Sequence, residues 1–199
     1  QPNMYFLFMA MAVKMLRTNG EFVFITPRSW TSGTYFKSFR SYFMDSMDIQ
    51  RVHLFESRNS VFKGKEGHSD DILQETMITY GKKSKSQSRN IIIAISQNAQ
   101  DLGKVKEIQV ESGNCLPEGK EHYFVLPSDE EDLKVLNYMK KMPNTVEEAG
   151  FRFKTGQVVE FRNKEYIAWE KKESTIPLLH SCNVLEGRIV FPAQTEKPQ

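Results

Sequence analysis

The sequence has 199 residues, of which 39% are hydrophobic and 26% charged, with a formal net charge of +2. This composition excludes a disordered or collagen-like chain, and the small net charge excludes a polycation that binds nucleic acid by bulk charge alone. The two cysteines, Cys115 and Cys182, lack metal-type spacing, so we expect a cytoplasmic protein without a disulfide scaffold or zinc finger. The longest apolar stretch falls short of the ~20 residues that a bilayer requires, so no membrane segment is expected.

The sequence lacks the motifs of several enzyme classes. Its four histidines are scattered, with none three or four residues from another histidine or from a cysteine, so we expect no metal site. Neither a Gly-x-Ser-x-Gly elbow nor a Gly-x-x-x-x-Gly-Lys-Ser loop occurs, which argues against serine hydrolases and phosphate-loop enzymes. Candidate sites are therefore the loops that leave the carboxyl ends of the predicted strands.

Helices and strands alternate in the first part of the sequence. Apolar spacing predicts a helix buried on most sides, a strand covered on both faces, an amphipathic helix and two further strands, at residues 4–17, 21–26, 34–47, 49–55 and 72–80. In the amphipathic helix the spacing separates an inner set of residues from an outer set: Phe36, Phe39, Phe43 and Met47 inside, and Lys37, Arg40 and Asp45 outside. The predicted fold class is α/β, the second half of a doubly wound, Rossmann-like sheet with an antiparallel last strand.

The remainder of the sequence predicts shorter elements. Residues 81–89 are polar and basic and indicate a surface turn or hinge. Strands are expected at 90–96, 106–110 and 123–126, before a helix that Ser128 and Glu131 cap and that ends near residue 142. A short turn framed by Thr145, Glu148 and Gly150 follows, and a smaller mixed α+β lobe of hairpins and loops begins near residue 144.

Two loops carry residues suited to nucleic acid. The loop at 26–33 contains Arg28, which can reach phosphate oxygens; alternatively, Trp30 packs under the next helix and Arg28 pairs with a local carboxylate. The loop at 56–70 contains Phe62, whose ring can stack on a nucleobase while Lys63 and Lys65 meet phosphates. The alternative there is a hairpin loop whose aromatic residue tucks back into the core.

A third basic cluster lies at residues 150–164. Its cations alternate with phenylalanines, so a half-buried strand would display the charges together: Arg152, Lys154, Arg162 and Lys164. This pattern is a modest nucleic-acid signal, and an ordinary solvated strand face explains it equally well.

Taken in order, several segments resemble adenine-specific N6 DNA methyltransferases, and more narrowly the enzymes of restriction-modification systems that carry methylase and recognition parts in one chain. The matching segments in the first part are residues 3–8 (NMYFLF), 22–30 (FVFITPRSW), 31–40 (TSGTYFKSFR), 53–63 (HLFESRNSVFK) and 72–78 (ILQETMI). Residues 150–166, 176–184 and 191–199 resemble the start of that family's target-recognition domain.

The resemblance implies a chain that methylates double-stranded DNA with S-adenosyl-L-methionine, with a restriction nuclease domain conceivable in the same parent chain. The family's catalytic Asn-Pro-Pro-Tyr motif and its glycine-bearing cofactor loop do not occur in this sequence. We therefore expect an inactive piece of a longer, active enzyme. It would comprise the C-terminal half of the catalytic domain (1–96), connecting strands and a helix (97–143), and the beginning of the recognition domain (144–199).

The resemblance also assigns roles to two aromatic residues. Phe8 matches an aromatic residue that packs near the cofactor's adenine, although a phenylalanine in an apolar helix is commonly a core residue. Phe62 matches the loop aromatic that stacks on the flipped target adenine. Two other functions stay open: a non-catalytic nucleic-acid-binding module, and a methyltransferase that acts on RNA or protein.

Overall fold

The computed structural model describes residues 3–57, 75–98, 100, 101, 103, 105–154, 156, 158–195 and 197. The chain forms two compact units, residues 1–143 and residues 144–199. Within the described residues, no helix is both long enough and apolar enough to cross a lipid bilayer.

The described residues of unit 1 form a five-stranded sheet. Its strands are β1 (Glu21–Pro27), β2 (Met47–Phe55), β3 (Thr76–Lys83), β4 (Asn90–Ser96) and β5 (Lys106–Glu111). Their spatial order is β1-β3-β2-β4-β5, and β2 with β4 is the parallel pair. The antiparallel strand expected near residues 72–80 is confirmed, because β3 runs antiparallel to both β1 and β2. The mixed α/β class is also confirmed, but most strand pairs are antiparallel, unlike those of a doubly wound sheet.

Helices α1 (Met4–Met15) and α2 (Lys37–Ser46) bury their inner sides in one core with the sheet. The ring of Phe43 on α2 lies 5.6 Å from the ring of Phe22 on β1, and Met9 and Val13 of α1 belong to the same core. The burial predicted for the inner face of the amphipathic helix is confirmed for all four residues: Phe36, Phe39, Phe43 and Met47. The predicted bounds of 34–47 are too wide, because Phe36 lies in a 3-10 turn before α2 and Met47 already belongs to β2.

Large parts of β1 and α1 face solvent. Val23 and Ile25 of β1 are 65% and 49% exposed, so the prediction of a strand covered on both faces is wrong. The prediction of a helix buried on most sides is also wrong, because α1 packs on one side only. Its other side presents an apolar surface that we call the exposed α1 face: Met4, Leu7, Phe8, Met11 and Met15.

Arg40 departs from the helical pattern. The spacing predicts an outward side chain, yet Arg40 is fully buried, so the prediction is wrong. The reason is that its guanidinium finds backbone carbonyl partners inside the protein, which periodicity does not report. Lys37, on the same helix, forms a partly exposed ion pair with Glu121 at 2.6 Å.

β3 extends into the segment that the sequence predicts as a turn. Gly81 pairs with Phe22 of β1 and Ile49 of β2, so it lies within the strand. A larger residue does not fit there, because a Cβ atom would come 2.2 Å from the carbonyl oxygen of Asp48. Lys83 ends the strand, and its Nζ donates to the carbonyls of Val13 and Leu16, each at 2.7 Å. These carbonyls lie at the C-terminal end of α1, where a cation is favourable.

Two further local predictions are wrong. Residues 123–126 form no strand, because Phe124 donates to the Thr31 carbonyl and Val125 to the Cys115 carbonyl, which belong to different elements. Helix α3 (Ser112–Cys115) precedes this segment, and α4 (Glu130–Met139) follows it. The cap of α4 is Asp129 rather than Ser128, because the Asp129 carboxylate accepts from the Asp132 amide at 2.9 Å.

Unit 2 consists mainly of turns. Thr145 and Glu148 exchange the two hydrogen bonds expected of a capping box. A hairpin of β6 (Val184–Leu185) and β7 (Arg188–Ile189) closes through Glu186 and Gly187, whose φ angles of 48° and 74° suit a two-residue hairpin turn. Beside it, the buried Asn183 side chain donates to the Val190 carbonyl at 3.0 Å and accepts from the His180 amide at 2.7 Å.

Candidate functional site

A cavity of about 780 Å³ lies at the carboxyl end of β1, and we call it the β1 cavity. One wall is formed by the last residue of β1 and the loop after it, residues 27–32, which we call the cavity loop. The second wall is the segment at 123–126. Glu75, just before β3, completes the lining. A backbone hydrogen bond from Phe124 to Thr31, at 2.9 Å, joins the two walls. The loop predicted at 26–33 therefore does border a cavity.

Among the described residues that line the β1 cavity, Arg28 is the one cation. Its Nη2 donates to the Leu126 carbonyl at 3.4 Å, and its Nη1 lies 4.0 Å from a Glu75 carboxylate oxygen. The side chain is 35% exposed, so water screens this ion pair and the guanidinium can still reach a ligand. Glu75 is therefore a local carboxylate of the kind that the alternative interpretation expects beside Arg28. A role for Arg28 in binding DNA stays a prediction.

Trp30 supports the cavity from within the core. Its ring packs 5.5 Å from Phe43 of α2 and 5.7 Å from Phe124 of the second wall, and its exposure is 0%. Its Nε1 donates to the hydroxyl of Thr26 at 3.2 Å. Trp30 therefore packs under the next helix, as the alternative interpretation predicts.

The second wall is anchored at Cys115. The Cys115 carbonyl accepts from the Val125 amide at 2.7 Å, and burial raises the pKa of the Cys115 thiol to about 12. A thiol in this state is protonated at neutral pH and is a poor nucleophile. The role of Cys115 in unit 1 is therefore that of a small apolar residue.

Helix α1 reaches the cavity loop through Tyr5. The Tyr5 hydroxyl shares a hydrogen bond with the Ser29 hydroxyl at 3.0 Å, and burial raises the pKa of Tyr5. Phe8 is 56% exposed and belongs to the exposed α1 face, not to the core. Its ring is therefore free to contact a ligand or another segment, and the expected role near a cofactor stays a prediction.

Phe62, Lys63 and Lys65 lie outside the described residues, so the role expected for their loop stays a prediction.

Strand β2, which precedes that loop in the sequence, forms polar contacts that the sequence did not indicate. His53 Nε2 and Ser96 Oγ are 2.8 Å apart, at the carboxyl ends of the parallel strands β2 and β4. Partial burial lowers the pKa of His53, and Arg51 on the same strand forms an ion pair with Glu107.

In unit 2 the predicted basic cluster is exposed: Arg152, Lys154, Arg162 and Lys164. Residues 151–154 form no strand, so the expected strand face is not found there. Phe151 and Phe153 are 69% and 88% exposed, which means that aromatic and cationic groups both face solvent. A separate cavity of about 400 Å³ lies between Val158, Tyr166 and Ile176.

The first part of the chain matches a known protein family. The family model of the Eco57I restriction-modification methylase matches residues 1–62. These residues include α1, β1, the cavity loop and α2. The match supports a methyltransferase of a restriction-modification system.

The chain is also similar to two curated proteins. It is 30% identical over 198 residues to the type II methyltransferase M.PstI of Providencia stuartii, and 30% identical over 200 residues to the type II methyltransferase M.BsuBI of Bacillus subtilis. Each alignment covers 98% of this chain and 38% of the relative, so the chain spans less than half the length of either protein. A solved structure of the type I restriction enzyme EcoKI M protein superposes with a TM-score of 0.45 at 8% identity, over 73% of this chain and 45% of that chain.

Proposed function

We propose that this chain is part of a site-specific DNA methyltransferase of a restriction-modification system, which transfers a methyl group from S-adenosyl-L-methionine to N6 of adenine. The observation that carries the proposal is the similarity to two type II methyltransferases along 98% of the chain. The Eco57I methylase family match at residues 1–62 supports the same class independently.

Two surfaces support the idea that unit 1 is the second half of a larger Rossmann-like sheet. Within the described residues β1 pairs on one side only, with β3, so its other edge is available to a further strand. The exposed α1 face is an apolar surface that a soluble protein ordinarily covers. S-adenosyl-L-methionine supplies the methyl group when bound, and Phe8 on this face suits contact with its adenine.

The target adenine must leave the DNA stack before its amino group is accessible. Rotating the nucleotide out costs a few kcal/mol, and stacking on an aromatic ring returns roughly 1–3 kcal/mol. We assign that ring to Phe62, with Lys63 and Lys65 at the flanking phosphates. This assignment comes from the resemblance, because the loop lies outside the described residues.

The β1 cavity offers a place for the DNA backbone. Arg28 provides a guanidinium, and Ser29, Thr31 and Ser32 line the same wall. Charge-assisted hydrogen bonds from arginine to phosphate are among the stronger contacts in such complexes. In unit 2, the exposed cations and aromatic rings at residues 151–154 suit the same ligand.

Replacing Arg28 with alanine in the full-length protein should weaken DNA binding by roughly 1–3 kcal/mol, because a charge-assisted contact is lost. The slope of the logarithm of the binding constant against the logarithm of the salt concentration should also fall by about 1, as expected when one phosphate contact is lost. Arg89→Ala is the matched control, since Arg89 is 87% exposed and precedes β4 at the opposite end of the sheet. Titrations at several salt concentrations measure both quantities, and equal effects of the two variants would remove Arg28 from the interface.

Product analysis tests the function itself. The full-length protein, incubated with duplex DNA and S-adenosyl-L-methionine, should yield N6-methyladenine on nucleoside mass spectrometry. A methylated cytosine would contradict the proposed base. Methyl transfer to RNA or protein alone would contradict DNA as the substrate, and DNA binding without methyl transfer would indicate the non-catalytic module.

Isothermal titration tests the expectation that this chain alone is inactive. Because the Asn-Pro-Pro-Tyr motif and the cofactor loop do not occur in its sequence, the 199-residue chain should show no saturable binding of S-adenosyl-L-methionine. A micromolar site would mean that this chain holds the cofactor by itself.

A further inference from the structure

Arg40 makes an unusual set of contacts for a buried cation. Its exposure is 0%, and its guanidinium donates to four backbone carbonyls. Nη1 reaches Trp30 O at 3.0 Å and Gly33 O at 2.6 Å, whereas Nη2 reaches Glu121 O at 2.8 Å. Nε is shared between Glu121 O at 3.2 Å and His122 O at 3.1 Å.

These carbonyls belong to the two segments that form the β1 cavity. Trp30 and Gly33 lie in the loop after β1, and Glu121 and His122 lead directly into the segment at 123–126. The guanidinium carbon also lies 5.3 Å from the ring centroid of Tyr123, which lines the cavity. One side chain on α2 thus holds both walls at once.

Only arginine can make this arrangement. Its planar guanidinium carries five N–H donors in a fixed geometry, whereas the lysine ammonium is a point charge with three donors. Burial of a cation is unfavourable, and desolvation lowers the pKa of Arg40. Filling the space would need only an apolar side chain, so packing alone does not account for an arginine here.

We propose that Arg40 is a positioning residue that holds the two walls of the β1 cavity at a fixed separation, so that a DNA strand meets Arg28 and its loop already in place. The proposal rests on the function proposed above for the DNA contact. A preformed site binds more tightly because ordering its walls costs nothing at the moment of binding. Arg40 itself touches no DNA and acts through the loop and the segment at 121–126.

Hydrogen exchange of this chain tests the structural half of the proposal. In Arg40→Lys, the Phe124 amide, which donates to Thr31 across the walls, should exchange about tenfold faster, as expected when one to two hydrogen bonds are lost. The Ile93 amide in the centre of the sheet should be unchanged. Lys37→Gln is the matched control, because Lys37 also reaches Glu121 but touches no wall carbonyl.

Two exchange results would overturn the proposal. Equal acceleration at Phe124 and Ile93 in Arg40→Lys would mean that Arg40 contributes only to global stability. If Arg40→Lys does not fold, hydrogen exchange of the unaltered chain tests the proposal instead. When the two walls are held together, the Phe124 amide should be protected nearly as well as the Ile93 amide. Free exchange of Phe124 in that chain would show that the walls are not held.

Steady-state kinetics of the full-length enzyme test the functional half. Arg40→Lys should raise the KM for DNA about tenfold and leave the KM for S-adenosyl-L-methionine unchanged, whereas Lys37→Gln should match the unaltered enzyme. A loss of rate proportional to the loss of folded protein, with an unchanged KM for DNA, would overturn the positioning role. If the unaltered enzyme does not methylate DNA, the proposed function fails, and the exchange results still decide whether Arg40 holds the walls.

Discussion

Replacing Trp30 with alanine should lower the free energy of unfolding by about 3–5 kcal/mol, the range for removing a large aromatic side chain from a core. Trp30 has no exposed surface and contacts Phe39, Phe43 and Phe124, which join α2 to the second wall of the β1 cavity. The substitution also removes the indole N–H that binds the Thr26 hydroxyl. Urea unfolding followed by circular dichroism measures the change.

The chain contains one other tryptophan, which provides the control. Trp169 is 74% exposed, so Trp169→Ala should change the free energy of unfolding by less than about 0.5 kcal/mol. In this variant Trp30 is the sole tryptophan, and its fluorescence reports the core of unit 1. A loss below about 1 kcal/mol for Trp30→Ala would contradict the burial described here.

Replacing Gly81 with alanine should cost about 1–3 kcal/mol or more, because the new methyl group has no room. Its Cβ would lie 2.2 Å from the Asp48 carbonyl oxygen and 2.9 Å from the Phe22 ring. The first of these is a backbone atom in β2, next to the irregularity between Ile49 and Arg51. The strands must separate to accept the methyl group, and pairing of β3 with β2 weakens.

Gly113→Ala is the matched control for the glycine experiment. A Cβ atom at Gly113 meets nothing within 4 Å, and the residue lies in α3. Alanine there should stabilise the protein by about 0.4–1 kcal/mol, mainly by restricting the unfolded chain. Opposite signs for the two variants are the expected result of chemical unfolding, and a neutral Gly81→Ala would contradict the close approach of the strands.

The spacing of apolar residues predicted most of the helices and strands of unit 1. The helices at α1 and α2 and the strands at β1, β2, β4 and β5 lie where apolar spacing placed them, because periodicity reports which residues can share a buried face. The turn at Thr145 and Glu148 was also predicted, since a capping box depends on residues three apart. Features of this kind need no knowledge of distant partners.

The candidate site was only partly predictable. The loop at 26–33 was identified because a proline, an arginine and hydroxyls follow a strand, and that loop does border a cavity. Its second wall was missed, since residues 123–126 were expected to form a strand. Nothing near Arg40 in the sequence identifies Glu121 and His122 as its partners, because they lie some 80 residues away.

The sequence by itself therefore determined the mixed α/β class, the positions of the main helices and strands, and the buried face of α2, because these follow from local spacing and hydrophobic burial. Only the tertiary structure decided the order of the strands, the burial of Arg40 and the cavity between two distant segments. Each of these depends on which backbone carbonyls and strand edges meet after folding, and such contacts between remote residues leave no periodic trace in the chain.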